Sequence, residues 1–453
     1  MNSSTNKYLV AIVGRPNVGK STLFNRLIGE RRAILSDVPG TTRDVLFGDV
    51  TWNDFIFGVA DTAGLEPDND TVMAQDILLQ TKSAIESADL IYFMVNAAEG
   101  LLPDDRTAAE MIRKSGKPAI LLINKTDQKI AADNVYDFHQ LGFTNTFETA
   151  GTSGKGTGDV LDETVLKLKE IEAANPRPEL AADESQLIRV AIVGRPNVGK
   201  STLFNKLVGK KRSIVSDEAG TTRDTVNETI KHENYTIEFI DTAGLRRRGK
   251  VEWGIEKYGS LRMIKAIQSA DLCMMIMESD EGVIAQDAHI MQSILQADRS
   301  PILIVNKWDL IEKTHRITAD YETYLQEKYK FAKWIPVMFI SALTGQRVNK
   351  IIDNIIKVWQ TRNVTLPETD LKNILTKAVL NRPPIARRVI PKVTGFRQVA
   401  TNPPLIQLSG RHIDSLHFSY LRYLENRIRE SFPLLGTPIQ FSLKEASKHI
   451  RPS

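Results

Sequence analysis

At 453 residues the chain is too long for a single hydrophobic core, and a guide of roughly 100–200 residues per domain divides it into about three. With 42% hydrophobic and 25% charged residues and a net charge of +4, it has the composition of an ordinary globular protein, which excludes disorder on a large scale. The lone Cys273, inside the apolar run LCMMIM, excludes a disulfide framework or thiolate cluster within one chain, and no run reaches the roughly 18 apolar residues of a membrane span, so a reducing, cytoplasmic setting is expected.

The first informative stretch, Val10–Asn25 (VAIVGRPNVGKSTLFN), returns without change at Val190–Asn205. Within it Gly14, Arg15, Pro16, Asn17, Val18, Gly19, Lys20 and Ser21 fit the phosphate-binding pattern G-x-x-x-x-G-K-[ST], and Gly194, Arg195, Pro196, Asn197, Val198, Gly199, Lys200 and Ser201 repeat it. The short β-branched runs before each loop, Tyr8–Val13 and Ile188–Val193, predict strands buried on both faces of a parallel sheet. Lys20 and Lys200 then open helices. First-turn N–H groups have no partner inside a helix and converge, with the positive end of the dipole, on an anion. Triphosphate is the expected guest, with the Lys20 and Lys200 ammonium groups against its β- and γ-phosphates and the Ser21 and Ser201 hydroxyls on Mg²⁺.

Next comes Gly40–Asp44 (GTTRD), copied at Gly220–Asp224, in polar surroundings that predict a nucleotide-sensing loop. A threonine here, Thr42 in preference to Thr41 and Thr222 in the second copy, can complete the Mg²⁺ shell while its N–H meets the γ-phosphate. The predicted strand Phe55–Ala60 delivers Asp61 at its carboxyl end, followed by Thr62, Ala63, Gly64 and Leu65; Asp241, Thr242, Ala243, Gly244 and Leu245 are the counterparts. Ligands bind at that edge of a parallel sheet, so the aspartates are expected to hold Mg²⁺ through a water and the glycine N–H groups to bond the γ-phosphate. Leu65 and Leu245 can neither orient nor polarise an attacking water, which predicts slow unaided hydrolysis.

After a strand at Leu90–Val95, the run Ala119–Ile123 ends in Asn124, Lys125, Thr126 and Asp127, and PILIV ends in Asn306, Lys307, Trp308 and Asp309. A carboxylate at Asp127 or Asp309 can accept from both N1–H and the N2 amino group of guanine, whereas adenine presents an acceptor at N1. Asn124 is expected to tie loops together near the base, and the aliphatic stem of Lys125 to cover its face. A further guanine contact is expected at Ser341 and Ala342, with Thr149–Ala150 as the matching pair in the first unit, and the charged, Tyr-rich Leu310–Trp334 reads as an extended helix.

These patterns predict two α/β G domains of the P-loop NTPase type with mostly parallel sheets, at 1–171 and 188–364, joined by a Pro/Ala/acid-rich linker at 172–187. The segment after DTAGL is acidic at 66–70 (EPDND) and basic at 246–250 (RRRGK), which suggests different partners for the two units. From 365 to 453 there are 14 Lys/Arg against 6 Asp/Glu, or +8, leaving −4 for the rest. Such asymmetry points to a polyanion, with a plainly solvated surface as the alternative. This tail reads as a small α+β domain: helix Leu366–Asn381, strand Lys392–Thr401, an Asn402-Pro-Pro turn, strand Leu405–Arg411, helix His417–Ser431 and strand Thr437–Leu443. The second helix is expected to pack Leu421, Leu424 and Ile428 and to present Arg422, Arg427 and Arg429.

Two sets of GxPNxGKS, GTTRD, DTAGL and NKxD, followed by KVTGFRQVATNPP and YLRYLENRIRE, resemble one bacterial family over essentially the whole chain, the tandem-GTPase ribosome-assembly factors called EngA or Der. The resemblance implies GTP hydrolysis with GTP, GDP and Mg²⁺ as ligands and a C-terminal KH-like domain. It also implies association with the large ribosomal subunit and its rRNA during maturation, by a monomer that does not enter membranes. It further implies that Asn17 and Asn197, with carbonyls of Ser36–Gly40 and Ser216–Gly220, hold K⁺ near the phosphates. Asn96 and Glu278 depart from the aspartate of the pattern, and Thr149 from its serine. The alternative function is a nucleotide-gated RNA-binding module, in which occupancy matters and cleavage only resets it.

Overall fold

The computed structural model describes residues 8–28, 46–62, 73–128, 131–174, 186–209, 228–242, 259–312, 316–384 and 389–445. The expected Thr42, Thr222, Ala63 to Leu65, Ala243 to Leu245, the 66–70 and 246–250 segments and 175–185 of the linker lie outside these residues.

The first unit runs β1 (Leu9–Val13), α1 (Lys20–Ile28), β2 (Leu46–Trp52), β3 (Phe55–Asp61), α2 (Met73–Ser87), β4 (Leu90–Asn96), α3 (Pro103–Ser115), β5 (Ala119–Asn124), α4 (Ala131–Asn134), β6 (Thr146–Glu148) and α5 (Thr157–Ala174). Its sheet has the order β2-β3-β1-β4-β5-β6, parallel except for the β2–β3 hairpin. Every residue of β1 and β4 is buried, as continuous apolar runs require when helices cover both faces. Helix α3 shows how local sequence sets an element's ends. Pro103 stands at its first turn with Asp104 and Asp105, Arg113 and Lys114 stand in its last, and Gly116 closes it at a left-handed φ of 68°.

The second unit repeats the plan as β7 (Leu187–Gly194), α6 (Lys200–Gly209), β8 (Glu228–His232), β9 (Tyr235–Ile240), α7 (Gly259–Ser269), β10 (Leu272–Glu278), α8 (Ala285–Gln296), β11 (Ser300–Asn306), α9 (Ile317–Lys328), β12 (Val337–Phe339) and α10 (Lys350–Arg362). Its sheet order, β8-β9-β7-β10-β11-β12, is that of the first unit. The extended helix expected across 310–334 is shorter, α9 followed by a 3₁₀ turn at Lys330–Ala332. Helix α5 continues to Ala174, past the expected start of the linker at 172.

One face of each sheet has a core of its own, but the other two faces share one. Helix α7 packs on α2, and Leu9, Ala11 and Val13 of the first unit belong to the same buried cluster as Ala191, Val193 and Met275 of the second. Cys273 lies in that cluster, and burial pushes its thiol up to about 12, so it is a packing residue and not a nucleophile.

The C-terminal domain has α11 (Glu368–Asn381), β13 (Lys392–Ala400), β14 (Leu405–Arg411), α12 (Phe418–Ser431) and β15 (Gln440–Glu445), with a three-stranded mixed sheet in the order β13-β14-β15. The last strand starts three residues later than the sequence suggests, at Gln440 instead of Thr437. The Gly436 N–H is spent on the Trp334 carbonyl at 2.8 Å and the Thr437 N–H on that of Leu434, and both contacts hold the chain in a turn. Arg429 also departs from expectation. Its guanidinium lies 4.3 Å from the Trp334 ring centroid, donates to the Leu434 and Thr437 carbonyls and pairs with Glu425. It fastens the domain to the second unit, whereas Arg422 is exposed. Among the described residues no helix is long and apolar enough to cross a membrane.

Two candidate nucleotide pockets

The carboxyl edges of β1, β3, β4 and β5 gather the first set of expected residues, and those of β7, β9, β10 and β11 the second. In the first loop Asn17 has φ 62° and Gly19 φ 106°, and in the second Asn197 has 63° and Gly199 97°. Alternation of this kind turns successive backbone N–H groups toward one concavity, a ready cradle for an anion. Gly19 is needed twice over, for its φ and because a Cβ there would stand 2.2 Å from Asn124 Nδ2; Gly199 is in the same position against Asn306.

The lysine of each loop folds over the cradle. Lys20, 3% exposed, donates from Nζ to the Gly14 and Arg15 carbonyls at 2.8 Å each, and Lys200 donates to those of Gly194, at 2.9 Å, and Arg195. Ser21 and Ser201 follow in the first turns of α1 and α6. Arg15 and Arg195 of the same loops point their guanidiniums away. Arg15 reaches Asp105 and Glu99, both at 3.0 Å, and Arg195 reaches Asp287 at 2.9 Å and Glu281 at 2.7 Å. Each buried aspartate also accepts from the N-cap residue of its own helix, Leu102 or Ile284, so the loop is pinned to a helix N-terminus. Burial pushes both carboxyls up, and the arginine beside each partly offsets it.

The asparagines do tie loops together. Asn124 donates from Nδ2 to the Val18 carbonyl at 2.8 Å and accepts the Gly151 N–H at 3.0 Å. Asn306 does the same with Val198 at 2.8 Å and Ala342 at 2.9 Å. This places each phosphate loop beside its NKxD segment. It also corrects the pairing of the last loops: Thr149 and Ile340 make equivalent backbone bonds, to Ile123 and Val305, so Ala150–Gly151 and not Thr149–Ala150 matches Ser341–Ala342. The first unit therefore lacks the hydroxyl of Ser341, while the Thr149 hydroxyl lies 3.3 Å from Asn124 Oδ1.

Lys125 and Lys307 are left-handed, at φ 63° and 60°, which leaves Asp127 and Asp309 exposed at the pocket mouths. Lys307 is anchored by Glu278 at 2.5 Å; the residue in the place of Glu278, Asn96, is committed instead to Glu99 and the Ala98 N–H. Trp308 turns inward, 3% exposed, with its ring 4.3 Å from that of Phe339, so it supports the loop from below. Behind the phosphate loops, Asp61 is fully buried at the end of β3, and Thr62 donates to the Ile12 carbonyl at 2.7 Å. Thr242 is also buried, whereas Asp241 is gripped by Arg262 of α7. The arginine grips, the Glu278 anchor and the Arg262 contact were not foreseen; each joins residues about 20 to 90 positions apart.

Comparison with known proteins follows the same division. A family model described as "50S ribosome-binding GTPase" matches residues 9–125 and again 189–307, and one described as "KH-domain-like of EngA bacterial GTPase enzymes, C-terminal" matches 366–444. The protein named GTPase Der of Chloroflexus aggregans is 44% identical over 444 residues, covering 96% of this chain and 97% of its own. That of Herpetosiphon aurantiacus is 42% identical over 441 residues, covering 96% and 95%. A solved structure of Era with MgGDPNP and nucleotides 1506–1542 of 16S ribosomal RNA is 25% identical over 58% of this chain and 94% of that one, with a TM-score of 0.31.

Proposed function

This chain belongs to the GTPase Der family, also named EngA, and from that membership we propose that it hydrolyses GTP at two separate pockets during assembly of the large ribosomal subunit. The observation that carries the reading is the doubled asparagine bridge: Asn124 to Val18 and Asn306 to Val198, both at 2.8 Å, bring a phosphate loop and a base-reading segment together in each unit. Membership in a family of GTP-hydrolysing enzymes does not favour the alternative in which occupancy alone carries function.

In this reading Asp127 and Asp309 accept the N1–H and N2 amino hydrogens of guanine, and an adenine would leave a desolvated carboxylate without donors. The loop N–H groups and the N-termini of α1 and α6 receive the β-phosphate, while Lys20 and Lys200 exchange their carbonyl contacts for the β- and γ-oxygens. The donor set for a small hard cation is of the right kind, hydroxyl and carboxylate oxygen from Ser21 and Asp61 or Ser201 and Asp241, completed by Thr42 and Thr222. Mg²⁺ there supplies neutralisation of charge on the β- and γ-phosphates.

With Leu65 and Leu245 unable to orient water, the barrier falls mainly through the Lys20 and Lys200 ammonium groups; Asn17 and Asn197 would hold K⁺, which would supply further positive charge beside the phosphates. Turnover is expected to be faster in K⁺ than in Na⁺ at equal ionic strength, and equal rates would remove that element. The Glu278 anchor holds the Lys307 stem for the face of the base. Glu278→Gln is expected to weaken fluorescent GDP at the second pocket about fivefold, since such an ion pair contributes on the order of 1 kcal/mol. The titration is made with the first pocket disabled by Lys20→Ala, and unchanged affinity would show Lys307 held by other means.

The ribosomal role is tested by sedimentation of particles with GTP, GDP and a non-cleavable analogue, using the natural chain, Lys20→Ala and Lys200→Ala. Co-migration with the large subunit in at least one nucleotide state is expected; its absence in all of them would end the ribosome assignment. A cytoplasmic monomer whose basic C-terminal domain meets rRNA fits the same reading.

A further inference from the structure

The two pockets differ at the residue read as facing the metal. In the first, β3 runs through Asp61, paired with Ile12 and fully buried. In the second, β9 stops at Ile240, and Asp241 takes a left-handed φ of 55°, a conformation that costs energy in a residue with a Cβ. Arg262 holds it there: Nε donates to Oδ1 at 2.9 Å and to Oδ2 at 2.7 Å, and Nη2 donates to Oδ1 at 2.6 Å. Forked contacts of a guanidinium with a carboxylate are among the strongest that side chains make. When AIESADL of the first unit is laid on AIQSADL of the second, Gln80 falls in the place of Arg262, and a glutamine carries no charge to offer Asp61.

Helix α7 is also the helix seated on the first unit. Lys265 Nζ lies 3.0 Å from Asp89 Oδ1, and Gln268 lies so close to Gly58 that an added Cβ would stand 1.8 Å from its Nε2. The Glu86 carboxylate of α2 adds to the field that Asp241 sets around Arg262. Arg262, Lys265 and Gln268 are thus spaced three apart on one helix, the first gripping the second pocket and the other two the first unit.

We propose that Arg262 opposes metal loading of the second pocket: while α7 is seated on the first unit, its guanidinium holds the Asp241 carboxylate, and Mg²⁺ with nucleotide recruits that carboxylate only when Arg262 lets go. This rests on the reading of Asp241 as a metal-facing group. A guanidinium on the carboxylate and a divalent cation facing it, even through a water, set two positive charges against each other, so each use weakens the other. Linkage then runs both ways, and filling the second pocket with metal loosens the seat of α7 on the first unit.

The test uses the full chain carrying Lys20→Ala, so that only the second pocket binds, and titrates fluorescent GDP in Mg²⁺ and in EDTA. Arg262→Gln is expected to raise the ratio of the two affinities about tenfold, the scale of a lost charge-assisted contact, with the EDTA affinity within about twofold of the parent. Lys265→Ala, which frees the helix from Asp89, moves the ratio the same way by less. Arg262→Lys, which keeps the charge but not the fork, gives an intermediate value and replaces the glutamine variant if that one fails to fold. A ratio that stays or falls on Arg262 substitution overturns the proposal. If the parent binds GDP in neither buffer, the pocket reading itself fails.

Discussion

Asp309→Asn, in a chain whose first pocket is disabled by Lys20→Ala, is expected to lose GTP affinity by several hundredfold and to gain affinity for xanthosine triphosphate. The carboxylate at this position accepts twice, and hydrogen bonds to a charged group contribute about 1.5–3 kcal/mol each. An amide keeps one acceptor and turns two N–H donors toward the N2 amino group of guanine, so one contact is lost and the other becomes a repulsion. Xanthine carries an oxygen at position 2 beside its N1–H, which is the complement of an amide. The backbone is well braced for the exchange: the Trp308 N–H is bonded to the Ile340 carbonyl at 3.0 Å, the Leu310 N–H to that of Lys307 at 3.0 Å, and the Trp308 ring is packed beneath. Asp127→Asn with Lys200→Ala should switch the first pocket in the same way. Equilibrium titration with both nucleotides decides the matter, and a variant that still prefers GTP would show that neither aspartate reads the base.

How much of this was legible in the sequence depends on the range of the interactions. The phosphate loops, the buried strands leading into them and the aspartates and asparagines at strand ends are local patterns, and each appears twice. The helix–strand order of the C-terminal domain was also readable, because Asn402-Pro-Pro and the apolar periods are local signals. What failed was set by distant partners. Thr149 matches Ser341 by residue type, but the bonds to Ile123 and Val305 place it opposite Ile340. Nothing local in the sequence marks Lys265 or Gln268 for Asp89 and Gly58 of the other unit, and Arg429 reads as a surface charge until Trp334 covers it. Polar residues on an amphipathic helix do not announce which of them will meet another domain. The Asp241–Arg262 contact is of the same kind, since both pockets share DTAGL and the arginine comes from the helix that follows, about 20 residues on.

The largest effect on stability is expected from Arg362→Ala, at the joint between the second unit and the C-terminal domain. Arg362 closes α10, is fully buried, and donates from Nε to Asn402 Oδ1 at 2.5 Å and from Nη1 to the Asp298 carbonyl and the Ser300 hydroxyl at 3.0 Å each, while its own carbonyl accepts the Asn402 N–H at 3.0 Å. One guanidinium thus fixes the end of a helix, the start of β11 and the turn between β13 and β14. Burial, with Arg299 nearby, lowers its pKa to about 10, still far above neutral, so the guanidinium is charged and the cost of burying that charge is fully present at neutral pH. Two opposing terms follow. Removing the charge recovers that cost, but alanine leaves a cavity and strands the acceptors of Asn402 and Ser300 at about 1–3 kcal/mol for each. Cavity and orphaned acceptors together outweigh the recovered charge, giving a net loss of about 3–5 kcal/mol. Arg362→Met fills most of the space and keeps the relief from burying a charge, so its loss should be less than half as large. In thermal unfolding followed by circular dichroism, the alanine variant should melt roughly 10 °C below the natural chain, with the C-terminal domain melting separately, and the methionine variant should lie between them. Equal melting points for all three would mean that the joint is held by Arg429, Trp334 and Gly436 alone.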